Sequence, residues 1–278
     1  MALIQKLNSV HLNEILFFEY EILRSYFHKR KFKILFSIKE EWKPAIIRGF
    51  ASTKHEIMFD ELTTENIVLY DLVVPLTIND IIFLDETRHL IEKNLIPIPR
   101  RESVLLCDDK YRFNRTLIEN GFGEFIPKID CKQIYPYILK KRIDDWGENS
   151  HIISNAQEEQ KYSHLINNQN YFCQEVIPGS EEYATHILFK DRKILCVINN
   201  KYGFKSELPI KGKDKEESRK ICSCPYLESF TTILNFLEFE GLCCINYKIH
   251  QGIPYIFEIN PRFGGTLAKY FFSFLRHL

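Results

Sequence analysis

Apolar residues fall into two patterns along the chain, helical spacing and short continuous runs. Near the start, Leu12, Ile15, Leu16, Tyr20 and Leu23 recur at helical spacing, so residues 1–30 predict a helix. Two apolar runs, FKILFSI (32–38) and NIVLYDLVVPLT (66–77), predict buried strands, the second closed by a proline. The stretch NDIIFLDETRHLIEKN (79–94) predicts a helix with Asn79 or Asp80 as its cap. Strand, strand and helix with short connections suggest a small α/β lobe. Two prolines in NLIPIPRRE (94–102) read as a linker.

Beyond the linker the alternation is denser. CDDKYRFNRTLIENGFG (107–123) predicts a helix capped by Asp108 or Asp109 and stopped by Gly121 and Gly123. YPYILKKR (135–142) reads as a strand and NAQEEQKYSHLINN (155–168) as a helix. YFCQEVIPGSEEYATHILF (171–189) gives two extended segments around a Pro-Gly turn, and its second half pairs through KDRK with RKILCVINNK (192–201). The charge run KGKDKEESRK (211–220) reads as a solvated loop or helix start. YLESFTTILNFLEFEG (226–241) is amphipathic and ends at Gly241. LCCINYKIHQGIPYIFEINPRFGG (242–265) predicts two strands turning at Gln251-Gly252, and LAKYFFSFLRHL a last helix. No internal repeat or low-complexity segment interrupts this order.

Composition narrows the function classes. The 278 residues are 45% hydrophobic and 14% aromatic, enough for a sizeable core. Lys+Arg and Asp+Glu are both 37, so nothing global favours nucleic acid or an anionic membrane, and any charge-driven function must come from local clusters. Lys6, His11, Glu14, Glu19 and Glu21 interrupt the apolar start, which does not read as a signal peptide. No apolar run reaches the roughly 18–20 residues that span a bilayer. A soluble cytoplasmic protein is therefore expected. The eight cysteines lack paired C-x-x-C spacing, and reduced, buried thiols are favoured over a disulfide framework or a metal site.

The stretch YIFEINPRFGG (255–265) carries the chemistry. Alternate side chains of a strand share a face, so Glu258, Asn260 and Arg262 would point one way and Tyr255, Phe257 and Ile259 into the core. Through the turn at Gln251-Gly252, Asn246 would lie beside Glu258. Positions two apart are about 6.6–7 Å distant, close enough for carboxylate and amide oxygens to reach one or two Mg²⁺ ions, which favour hard oxygen ligands shared with substrate phosphates. Arg262 would stand beside those phosphates as a cationic fork.

The run E-I-N-P-R followed by G-G resembles the metal-binding signature of the ATP-grasp superfamily, in the branch with carbamoyl-phosphate synthase, biotin carboxylase and D-alanine–D-alanine ligase. Upstream elements match in the family's order. Asp109-Lys110 resembles its Asp-Lys pair at a helix start, and Lys140 in YPYILK its phosphate lysine. QEVIPGSEEY resembles the hinge that holds the nucleoside, with Glu175 near the adenine, Ile177 as a further cofactor-binding residue and Glu182 as the ribose acid, Glu181 being an equal chemical candidate. Lys201 in NNK matches the later basic residue facing the phosphates, and Asn246 the first metal-ligand position, with Glu258 and Asn260 following. The resemblance covers about residues 103–278. Where the family carries a glycine-rich loop over the triphosphate, RIDDWGENSHII (142–153) has only Gly147 and is flanked by acids.

The resemblance implies an ATP-grasp fold, two α+β lobes clasping ATP: a first lobe at 103–172 and a second, metal-bearing lobe at 173–278, after a short N-terminal lobe at 1–102. It further implies ATP with Mg²⁺ or Mn²⁺ as cofactors, and an ADP-forming ligase that activates a small carboxylate as an acyl phosphate for attack by an amine. Lys110, Lys140 and Lys201 would neutralise phosphate charge, and Arg262 the charge of the tetrahedral intermediate. The alternatives are a Mg-ATP-binding module without turnover, motivated by the glycine-poor loop, and a phosphotransferase to a non-carboxylate acceptor. No nucleic-acid or membrane partner is expected, and a homodimer is possible.

Overall fold

The computed structural model describes residues 9–27, 30–91, 96–132, 134–144 and 147–278. Helix α1 (Ser9–Tyr26) leads into a three-stranded parallel sheet of order β2-β1-β3, made of β1 (Lys33–Phe36), β2 (Glu56–Phe59) and β3 (Leu72–Val74). Helix α2 (Lys43–Phe50) joins β1 to β2, and α3 (Ile78–Glu86) and α4 (Arg88–Ile91) follow β3. β1 and β3 are the continuous apolar runs of the sequence, and all of their residues except Lys33 are buried. The edge strand β2 is only half covered, and four residues are too few to show a period. The run 66–77 does not form one strand: Ile67–Leu69 make a 3₁₀ turn before β3. Neither Asn79 nor Asp80 caps α3. Thr77 does, accepting from the Asp80 amide while the Asp80 carboxylate accepts from the Thr77 amide, a reciprocal capping box.

The proline segment is packed rather than loose, with Ile96 and Ile98 buried in the core. The helix expected over 107–123 is two helices, α5 (Arg101–Asp108) and α6 (Lys110–Leu117). Asp109 breaks them, with extended backbone and a side chain that caps α6 through the Arg112 amide. A second, antiparallel sheet of order β5-β4-β6 follows, from β4 (Tyr137–Lys141), β5 (His151–Ile153) and β6 (Tyr171–Glu175), with the short helices α7 (Ala156–Lys161) and α8 (Ser163–Ile166) between β5 and β6.

The largest sheet is antiparallel with order β11-β10-β7-β8-β9. Its members are β7 (Glu181–Lys190), β8 (Lys193–Phe204), β9 (Glu216–Cys222), β10 (Gly241–His250) and β11 (Ile253–Asn260), with α9 (Leu227–Phe236) before β10. Both expected hairpins form. Their two-residue turns, Asp191-Arg192 and Gln251-Gly252, have positive φ at both positions, which matches the right-handed twist of the flanking strands. β9 replaces part of the charged loop expected at 211–220. Its exposed acids and bases suit an edge strand, where charge discourages pairing with another chain.

One face of this sheet packs Tyr183, Ile187, Phe189 and Ile245 against α9 and α6. The other face is shared. Leu188, Ile198 and Leu242 lie in one core with Phe36, Val74 and Ile98 of the N-terminal sheet, and the rest of that face opens into a cleft. The last segment seals the junction. It forms 3₁₀ turns at Gly265–Leu267 and Phe271–His277 rather than one α-helix. Tyr270 to Leu275 are all buried, so this stretch has no solvent face, and Phe271 meets the Phe36 ring at 5.7 Å.

Candidate functional site

The cleft lies between the β5-β4-β6 sheet and the open part of the five-stranded sheet, and the β10–β11 hairpin sets its floor. Asn246 pairs in register with Glu258, as the turn predicts. A β-bulge between Asn246 and Tyr247 then adds one residue to β11. One extra residue reverses the alternation. The expectation that Tyr255, Phe257 and Ile259 all face the core is therefore corrected. Ile256 and Ile259 are fully buried, Phe257 turns into the cleft, and Tyr255 stays partly exposed beside His250.

Glu258 is the centre of a small electrostatic network. Its Oε1 accepts from Asn246 Nδ2 at 2.7 Å and Asn260 Nδ2 at 3.0 Å, and its Oε2 pairs with Lys110 Nζ at 3.2 Å. Burial works against the charge, but Lys110, the two amide hydrogen bonds and Lys140 outweigh it and hold the carboxyl at about 2. Lys110 stands at the first turn of α6. Its amide donates to the Arg142 carbonyl at 2.9 Å, and Asp109 pairs with the Arg142 side chain, so the Asp-Lys step is tied to the end of β4. Burial disfavours the Lys110 ammonium too, yet Glu258 with Asp144 and Asp108 raises its pKa. Lys140 of β4 donates to Gln174 at 2.8 Å and lies 4.8 Å from the centre of the Phe257 ring. With weaker compensation, burial and the neighbouring Lys110 bring it down to about 8.

At the other end, Glu175 accepts from the Lys128 amide at 3.2 Å and Ile177 is buried, both lining the cleft. Lys248 of β10, itself buried, donates to the Ile177 carbonyl at 3.1 Å. Glu182 is buried on the same side, and burial raises its pKa against the pull of Lys211 and Lys248.

Strand parity separates the two equal acids. Glu182 faces the cleft with Ala184 and His186, whereas Glu181 faces away and pairs with Lys201. Lys201 lies opposite Tyr183 in the β7–β8 register, on the helix-covered face, and does not line the cleft. Glu181 and Lys201, expected at the nucleotide, therefore lie outside the cleft lining, each an odd number of residues along its strand from a cleft-lining neighbour.

The basic residue that does enter from this sheet is Lys211, in the connection between β8 and β9. Its ammonium sits 3.2 Å from Asn246 Oδ1, 3.6 Å from Glu182 and 4.3 Å from the centre of the Tyr202 ring. Glu182 and Tyr202 hold its pKa up against burial. Sequence reading missed it inside a charge run. The signal available was Leu208-Pro209-Ile210 just before it, an apolar step of which Pro209 and Ile210 line the cleft. Lys248, His186 and Trp42 were also missed, the first two as alternating strand positions and the last because it comes from another lobe. Arg262 and Gly264-Gly265 border the end of the cleft nearest Trp42.

The acids of the glycine-poor stretch are partly accounted for. Asp144 accepts from the Asn149 amide at 3.1 Å and from its side chain at 2.7 Å, and Glu148 is exposed. Gly147 packs against Lys211 from across the cleft, and Lys213 donates to the Ser150 carbonyl at 2.6 Å.

A family model described as the ATP-grasp domain matches residues 107–266. The chain belongs to the ATP-grasp family. Three solved structures of like fold are a D-alanine–D-alanine ligase from Bacillus anthracis complexed with ATP (TM-score 0.54, 14% identity, 84% of this chain and 87% of that one), an L-amino acid ligase from Bacillus licheniformis (0.60, 13%, 87% and 70%) and an N5-carboxyaminoimidazole synthetase from Staphylococcus aureus complexed with ADP (0.55, 12%, 85% and 72%). No curated protein matches the sequence. The ATP-grasp match spans both sheets that face the cleft and ends at Thr266, so every residue of the Glu258 network lies inside it. Among the described residues no three His, Cys, Asp or Glu side chains gather in a metal-binding group, and no helix is long and apolar enough to cross a membrane.

Proposed function

We propose that this ATP-grasp protein is an ADP-forming ligase that joins a carboxylate to an amine. One observation carries the reading: Lys110, Lys140 and Lys211 converge from three separate elements on the floor that holds Glu258, Asn246 and Asn260. A triphosphate needs concentrated positive charge and an ion bridge, and this floor has both kinds of group. The like-fold ligases with bound ATP and ADP support the same reading.

The donor set fits Mg²⁺ or Mn²⁺ carried in with the nucleotide. It offers one carboxylate held ionised and two amide side chains, all hard oxygen donors that leave room for phosphate oxygens. The ion would supply charge neutralisation at the phosphates. Glu175, Ile177 and Glu182 would hold the nucleoside, with Lys248 fixing the Ile177 carbonyl. The substrate carboxylate oxygen would attack the γ-phosphorus as the bond to the bridging oxygen breaks and ADP leaves. The amine nitrogen would then attack the acyl carbon, inorganic phosphate would leave, and the ammonium proton would pass to phosphate or solvent. Lys110, Lys140 and Lys211 would neutralise the phosphates, and Arg262 would face the oxyanion of the tetrahedral intermediate. Positioning and charge suffice for this chemistry, so no covalent nucleophile is required.

The test is ADP and phosphate release from Mg-ATP across a panel of acids and amines. Release that requires both an acid and an amine is expected. A stable phosphorylated product formed without an amine, or tight Mg-ATP binding with no turnover on the whole panel, would replace this reading with a phosphotransferase or a binding module respectively.

A further inference from the structure

Trp42 is the one cleft-lining residue that comes from the first hundred residues, among those described. It is only 4% exposed, and its indole ring stands against the turn that follows β11. The Arg262 guanidinium carbon lies 5.4 Å from the ring centre, and the Phe263 ring sits 5.8 Å from the same ring, tilted by 33°. Lys39 also lies over the ring, at 4.6 Å, and pairs with Glu41, whose carboxylate feels the charge of Arg262.

The two glycines show how tightly this turn is held. Neither has a positive φ, so neither is required by backbone conformation. What they supply is space. A methyl group at 264 would come 2.3 Å from His186 Cε1, and one at 265 would come 2.8 Å from Trp42 Nε1. The turn that carries Arg262 is therefore gripped between the sheet floor on one side and the N-terminal lobe on the other. His186 is itself buried and is fixed through a 2.7 Å hydrogen bond to Thr266.

We propose that Trp42 is a positioning residue for Arg262: across the lobe boundary, its indole face sets the guanidinium and its edge sets the Gly264-Gly265 turn. The geometry of this clamp is independent of the reaction, and only its consequence for turnover rests on the ligase reading. A cation held over an aromatic face loses few orientations, and a preorganised cation stabilises developing charge without reorganising.

Three measurements test it. In a Trp146→Phe background Trp42 is the only tryptophan, since the chain has two. Its emission should shift when Arg262→Leu is added, and unchanged emission in a folded Arg262→Leu protein would overturn the contact. In thermal unfolding, Gly265→Ala should lower Tm by roughly 2–10 °C, as overpacking does in a domain of this size, and by much less in a Trp42→Leu background. Equal losses in the two backgrounds would overturn the clamp. In acid- and amine-dependent ADP release, Trp42→Leu should lower kcat by about 2- to 30-fold, the range of a cation–π contact, with Trp42→Phe in between and KM for ATP within about twofold. Trp42→Leu should add nothing in an Arg262→Leu background, whereas an equal further loss there would remove the positioning role. If no acid–amine pair is turned over, the ligase reading fails, and the emission and unfolding measurements still decide whether Trp42 holds Arg262.

Discussion

The two faces of the five-stranded sheet carry similar charged residues and treat them differently. On the helix-covered face, Glu181 and Lys201 pair with each other near the surface, with the Glu181 side chain 49% exposed. On the cleft face, Glu182 and Lys211 sit among Lys248, Asn246 and Glu258, and the Glu182 side chain is only 8% exposed. A pair that neutralises itself beside water does little beyond its own few tenths of a kcal/mol. Charges crowded into a drier cleft shift one another and stay poised for a ligand that completes the balance. Adjacent residues in the sequence thus acquire different capacities from strand parity alone.

The comparison breaks most easily at Glu258. Glu258→Ala should lower turnover by about a thousandfold or more, because it removes the carboxylate of the candidate ion site and the ion pair with Lys110. Circular dichroism should show the fold retained, and normal turnover would refute the ion-site assignment. Lys211→Met should follow at about a hundredfold, since it keeps a side chain of similar length but removes the ammonium that lies over Tyr202 and, in the proposed reading, faces the phosphates. Its loss should be read as ADP release under saturating Mg-ATP, with direct binding measured by calorimetry.

Much of this was legible beforehand because certain patterns admit few structures. The Gln251-Gly252 turn fixed the hairpin, and with it Asn246 opposite Glu258. Lys110 and Lys140 could be traced to the cleft because one follows a helix-capping Asp and the other sits near the end of a short apolar strand. What escaped was whatever a single strand or lobe does not encode. The bulge that turns Phe257 into the cleft leaves the strand's composition unchanged. Lys211 looked like one cation in a solvated run, and the cleft contact that distinguishes it comes from another part of the chain. The aromatic-rich tail gave no clear solvent face from which to judge its helix type or its neighbours, and its aromatic rings pack instead into the N-terminal core.

A gentler probe of the cleft face is pH. Lys140 is held at about 8, below the ordinary lysine value, so its ammonium is lost as pH rises through that value. A neutral Lys140 no longer attracts phosphate, and Mg-ATP affinity measured by calorimetry should fall several-fold between about pH 7 and 9, at most tenfold per pH unit for one proton. Lys140→Met should flatten that slope. Glu258 has the opposite sign. Its folded-state pKa of about 2 lies below the ordinary 4.5, so the stability it contributes is present above 4.5 and is lost as pH falls from there toward 2. Thermal unfolding of Glu258→Gln against the parent should therefore converge at the acid end of that window and diverge above it.

The smallest effect belongs to the other face, and it is the sharpest check on strand parity. Lys201 is hydrogen-bonded to Glu181, and the pair raises the lysine pKa against burial while its partner remains half exposed. Removing an ion pair of this kind costs less than about 1 kcal/mol of stability. Lys201→Met should therefore shift Tm slightly and leave kcat and KM for ATP unchanged, as should Glu181→Gln. Glu182→Gln, one residue along, should weaken nucleotide binding because it strips a buried partner from Lys211 and Lys248. If Lys201→Met were as damaging as Lys211→Met, the lysine would have to reach the phosphates through a twist or a register that places residue 201 on the cleft side. Opposite Tyr183 in an antiparallel ladder, it cannot do so without moving Tyr183 out of the helix-covered core as well.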